Sequence, residues 1–154
     1  FREEFTYVGS RVAGELLPAG SGVTMRDEKT GEVAVRIRQR NDGQFVARTR
    51  VNNANITMLV DTGASTVVLR PADAQRAGIN INRLRFTVPV RTANGTTFAA
   101  PINIKALAVG PIIINDVDAL VSKPGNLNVS LLGMTFLRRL RSYNFSGSFL
   151  TLRS

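Results

Sequence analysis

The chain has 154 residues and contains no Cys and no His. Without Cys there is no disulfide framework, no thiolate metal site and no Cys nucleophile. Without His there is no Ser-His-Asp triad, no His-ligated zinc and no imidazole base. A hydrolase built from this chain must work with carboxylates, Lys, Tyr, Ser or Thr. Trp is absent and there are only two Tyr. No aromatic-basic motif appears, which argues against nucleic acid as a partner. No apolar run reaches the length of a membrane span. Acids are outnumbered, 11 against 20 basic residues, for a net charge of +9. Such a surface is usually just solvated, but it also attracts anionic lipid headgroups. The hydrophobic content of 44% and the length fit one domain with a real core. The chain opens on Phe1 rather than Met and reads as a fragment, which leaves room for a signal or anchor upstream.

What is present centres on Met58-Leu59-Val60-Asp61-Thr62-Gly63-Ala64-Ser65-Thr66-Val67-Val68-Leu69. Two apolar β-type runs meet at an acid, hydroxyls and a glycine. An ionised carboxylate placed there without partners costs several kcal/mol. A fold keeps such a group for its chemistry or because turn dipoles satisfy it. In the plainer reading Asp61 makes an Asx turn and Gly63 supplies a positive φ. In the sharper reading Asp61 is a catalytic acid, and the absence of His and Cys adds weight to it.

Residues 1–31 show no clear periodicity and read as a flexible arm or linker, with residues 32–154 as the folded domain. Val33, Val35 and Ile37 then alternate with Arg36, Arg38 and Arg40, the pattern of a half-buried strand. Asn41-Asp42-Gly43 predicts a hairpin into residues 44–51, and the turn at 52–55 leads into residues 56–60. Three antiparallel strands are thus expected to deliver Asp61. Pro71 and Gly78 bracket a short helix. Residues 79–81 and 86–90 read as strands. Asn94-Gly95 suits a two-residue type I′ hairpin. Strands follow at 102–109 and 112–121, a helix at 134–140, and a closing hairpin over 143–152.

Three stretches together resemble the bacterial retropepsin-like aspartic proteases: Leu59-Val60-Asp61-Thr62-Gly63-Ala64-Ser65, Thr92-Ala93-Asn94-Gly95, and Leu131-Leu132-Gly133-Met134. The resemblance runs from about residue 32 to residue 152. It implies an all-β, mainly β fold, a closed acid-protease barrel with one or two short helices. It also implies a single-lobed domain behind an N-terminal membrane segment, on the periplasmic side of the bacterial inner membrane. Residues 1–31 would be the juxtamembrane arm. Ala93, Asn94 and Gly95 would tip a flap that closes over bound peptide, although they do not repeat the Gly-rich tip of the viral enzymes. Leu131, Leu132 and Gly133 would form the strand that passes behind the catalytic loop.

Peptide hydrolysis by this route needs two carboxylates around one water, and the pair shares one proton. The chain has one Asp-Thr-Gly. Asp27, Asp42, Asp73, Asp116 and Asp118 do not precede a hydroxyl residue and Gly. The second acid is therefore expected from Asp61 of another copy, in a homodimer. By the resemblance Thr62 braces the two loops, Gly63 admits the substrate backbone, and Ala64 and Ser65 complete the loop. The implied partner is a peptide or protein substrate, with no metal and no cofactor. Two other classes compete. A non-catalytic peptide-binding module on the same fold has no need of a shared proton, so an intact Asp61-Thr62-Gly63 argues against it. A basic protein that binds membrane or nucleic acid would lose binding steeply with salt and ignore Asp61.

Overall fold

Turns at Gly, Asn and Pro cut the chain into short strands, and the apolar side of each strand decides which sheet it joins. The computed structural model describes residues 5–8, 22–27 and 29–154. In chain order these hold β1 (Phe5–Val8), β2 (Gly22–Asp27), β3 (Val33–Arg38), β4 (Val46–Val51) and β5 (Ala54–Val60). Next come β6 (Val67–Leu69), α1 (Pro71–Arg76), a 3-10 turn (Ile81–Arg83), β7 (Val88–Thr92) and β8 (Gly95–Val109). β9 (Ile112–Val121), β10 (Ser130–Leu132), α2 (Met134–Leu137), β11 (Ser142–Ser146) and β12 (Phe149–Arg153) complete the chain. One sheet has the order β1-β2-β3-β12-β11 and the other β4-β5-β10-β6-β9-β8-β7. In the second sheet β4 also pairs with β8, so six strands close into a ring and β7 stays outside at the edge. Closure satisfies backbone groups that an open sheet would leave at its edges.

The core fills this ring and extends beneath the first sheet. Met58, Leu69, Ile104, Leu107, Ile112 and Leu132 are fully buried, and Ile37, Leu150 and Leu152 join the same cluster from β3 and β12. Each such side chain contributes roughly 1.5–3 kcal/mol by leaving water. α2 adds Phe136 and Leu137, both buried. The fold is mostly β with two short helices, as the sequence implies.

Four expectations need correction. The arm expected over residues 1–31 is not wholly outside the fold: β2 pairs along β3, and Val23 is buried. Residues 9–21 lie outside the described residues. Asn41-Asp42-Gly43 is a corner between sheets and not a hairpin, since β3 pairs with β2 and β12 while β4 pairs with β5 and β8. The corner closes on itself, with Arg40 N–H donating to Gln44 C=O at 2.8 Å. Two antiparallel strands, β4 and β5, therefore lead into Asp61. Residues 79–81 form no strand, because Ile79 closes α1 and Ile81 opens the 3-10 turn. Ile79 N–H donates to Ala74 C=O and Gly78 N–H to Gln75 C=O, the Schellman pattern. Finally, α2 ends at Leu137, and residues 138–140 continue in tighter turns that still bury Leu140. Among the described residues no helix is long and apolar enough to cross a membrane.

Candidate active site

Asp61 follows the last residue of β5, and the loop it opens ends at β6. β5 and β6 are not neighbours; β10 runs between them. Leu131 pairs with Leu59 in parallel and with Val68 antiparallel. The loop is thus strapped from behind. Asp61 N–H donates to Leu132 C=O at 3.1 Å, Met134 N–H to Ala64 C=O at 2.9 Å, and Val67 N–H to Thr135 Oγ1 at 2.9 Å. Gly133 is the point of closest approach. A Cβ there would sit 2.3 Å from Thr66 O and 2.8 Å from Ala64 O, both backbone atoms. Leu131 and Leu132 lie on β10 between β5 and β6, and Gly133 follows them.

Within the loop, Asp61 Oδ1 accepts the Gly63 N–H at 2.9 Å. This is the Asx turn of the plainer reading. It occupies one carboxylate oxygen; among the described residues Oδ2 has no hydrogen-bond partner. The plainer reading fails at Gly63, which does not take a positive φ. Glycine matters there for a different reason, since a Cβ would lie 3.2 Å from Asp61 Oδ1 and crowd the carboxylate. Thr62 is exposed and its hydroxyl has no partner among the described residues. Ala64 N–H donates to Asp61 C=O at 3.2 Å, and the Ser65 carbonyl accepts from Arg138 Nη2 at 3.5 Å.

The loop forms the floor of a cleft of about 520 Å³. Val90 and Phe98 from the β7–β8 hairpin, with Leu120 and Leu131, give it an apolar wall. Asp61 is the only acid among the described residues lining it. The hairpin tip differs from the expected type I′ turn. Thr92 pairs with Gly95, so Ala93 and Asn94 are the loop residues, and neither has positive φ. Gly95 takes φ +111° instead, as in a type I turn followed by a bulge. The tip residues Ala93, Asn94 and Gly95 are exposed and do not line the cleft; the strands below them do. Asn126 Nδ2 reaches across to Thr97 Oγ1 at 3.1 Å and ties that loop to the hairpin.

One polar cluster escaped the sequence reading. Asp73, on α1, is 2% exposed. Arg70 Nε and Nη2 donate to its two oxygens at 3.1 and 3.2 Å, and Ser130 Oγ donates to Oδ2 at 2.6 Å. Burial pushes the Asp73 carboxyl up, but the Arg70 and Ser130 hydrogen bonds and the charges of Arg70 and Arg76 outweigh it and hold it below the usual carboxylate range. Ser130 Oγ also accepts the Arg70 N–H at 2.9 Å, so the cluster fixes the start of β10 against α1. The i, i+3, i+6 spacing of Arg70, Asp73 and Arg76 was the available signal. Asp116 and Asp118 are exposed on β9 and do not line the Asp61 cleft.

Comparison with known proteins agrees with this geometry. Residues 47–139 match the family described as "gag-polyprotein putative aspartyl protease". An uncharacterized protein from the cobV 5′ region of a Sinorhizobium species is 35% identical over 99% of the chain. An uncharacterized protein of Rickettsia prowazekii is 37% identical, also over 99% of the chain. The chain spans 65% and 62% of the lengths of these two relatives. The crystal structure of a retropepsin-like aspartic protease from Rickettsia conorii superposes with a TM-score of 0.72 at 35% identity, covering 78% of this chain and 89% of that one. On these matches, and on an Asp-Thr-Gly loop strapped by β10, the chain belongs to the bacterial retropepsin-like aspartic protease family.

Proposed function

We propose that the chain is an aspartic endopeptidase whose working unit is a homodimer, with the two Asp61 side chains around one water. The observation that carries this reading is the state of Asp61. Among the described residues it is the only acid in its cleft, one oxygen is held by Gly63 N–H, and the other has no partner. One ionised carboxylate takes a proton from the water as the oxygen attacks the scissile carbonyl carbon. The protonated partner carboxyl donates to the carbonyl oxygen as it gains charge. Collapse of the tetrahedral intermediate breaks the C–N bond, and the leaving nitrogen takes the proton that the first carboxylate received from the water. The Thr62 hydroxyl, exposed and without a partner among the described residues, suits a brace against the other copy's loop. β7, at the edge of its sheet, offers unpaired backbone groups to an extended peptide.

Side-by-side incubation of wild type and Asp61→Asn with a peptide library tests the reading. The amide keeps the shape but cannot share the proton, so cleavage should vanish while the fold persists. Comparable turnover by a well-folded Asn variant would overturn it. The family resemblance also supports a periplasmic location, with a membrane segment N-terminal to this domain. An alkaline phosphatase fusion to the C-terminus of the whole protein should then be active in bacteria; an inactive fusion of full abundance would contradict that location.

A further inference from the structure

A second and larger depression, of about 820 Å³, opens over β4, β5 and α1 and shares no lining residue with the Asp61 cleft. Its walls carry Arg48, Arg50, Arg70 and Arg76, with Asn55 and Asn128 among them. Asp73 is the one acid among the described residues lining it, leaving an excess of three positive charges (four Arg, one Asp). One carboxylate neutralises only one of the four guanidinium charges. Arg70 and Ser130 already occupy its oxygens, and Arg76 Nη1 lies 3.7 Å away. Three guanidiniums are held in place. Arg70 is on Asp73, Arg50 donates to Gly110 C=O at 3.0 Å, and Arg76 donates to Asn55 C=O at 2.5 Å. Each guanidinium has five N–H donors, so these bonds leave donors free. Arg48 is exposed and has no partner among the described residues.

We infer that this groove docks an acidic segment of a polypeptide. Positioned guanidinium forks match carboxylates in two-bond geometry, and the cost of ordering three of them is met within the fold. Asn55 and Asn128 supply hydrogen-bonding groups for the backbone of an extended chain. Among the described residues no aromatic ring lines the groove, which gives the bases of a single-stranded nucleic acid nothing there to stack on. The groove is concave, whereas a bilayer surface presents its headgroups in a plane. The inference stands apart from the proposed hydrolysis, because the groove binds whether or not Asp61 cuts.

The test uses the full chain carrying Asp61→Asn, so that nothing is cleaved, and a fluorescently labelled oligoglutamate read by anisotropy. Oligoglutamate should bind and weaken as salt screens the charges. Arg48→Glu should weaken it by roughly tenfold or more through like-charge repulsion. Arg48→Gln, which removes the charge but keeps a long polar side chain, should weaken it by less. Equal binding by all three chains would overturn the inference. So would tighter, Arg48-dependent binding of an oligothymidylate of the same length, or of vesicles containing phosphatidylglycerol.

Discussion

Asp61 and Asp73 are both carboxylates next to apolar strands, and the fold treats them in opposite ways. Asp73 is buried and saturated by Arg70 and Ser130; Asp61 is half-buried, holds one backbone N–H and faces a cleft. The first arrangement fixes structure, and the second leaves an oxygen for chemistry. The sign of the Asp73 effect follows from its lowered folded-state pKa. Its stabilisation is fully present above the unfolded value, about 3.9, and is lost as pH falls through the lower folded value. Asp73→Asn should therefore be less stable by about 1–3 kcal/mol at pH 6. In urea denaturation the two proteins should converge as pH falls below the unfolded carboxyl value, about 3.9, and the folded Asp73 takes up its proton. A constant gap at every pH would contradict the assignment. Asp61 was legible in the sequence because Thr62 and Gly63 stand beside it. Asp73 was not, because Ser130 lies 57 residues away along the chain and only the fold brings it close.

β10 turns the loop into a site. It is three residues long, yet it pairs with strands on both sides and hands the chain to Gly133, where no side chain fits. Gly133→Ala should destabilise the protein by about 1–3 kcal/mol or more, the usual cost of overpacking. Because the clash falls on the backbone of Thr66 and Ala64, catalytic rate should drop by more than peptide affinity. Unchanged melting temperature and rate in the Ala variant would show that the loop is not held as described. Elements governed by local backbone rules were readable from sequence. Asn52 and Asn53 take φ +48° and +73° in the β4–β5 turn, and Pro71 opens α1. Elements governed by distant partners were not. The sheet chosen by β3 depends on Leu150 and Leu152 arriving on β12, more than a hundred residues later. β2 carries only one strongly buried apolar side chain, Val23, so its pairing left almost no periodic trace.

At the scale of the whole molecule, one chain builds a complete barrel and, in the function proposed above, half of a reaction centre. Among the described residues its cleft holds a single acid, and Asp116 and Asp118 on β9 do not line that cleft. The missing carboxylate is assigned to a second copy, and activity should follow the fraction of wild-type chains paired with wild-type chains. The direct measurement holds wild type constant and adds Asp61→Asn chains, with time for subunits to exchange. At a tenfold excess of the variant, activity per wild-type chain should fall to about one tenth, because random pairing leaves few dimers with two intact carboxylates. Activity that stays constant through the titration would mean that one chain supplies both acids, and the shared site would be wrong.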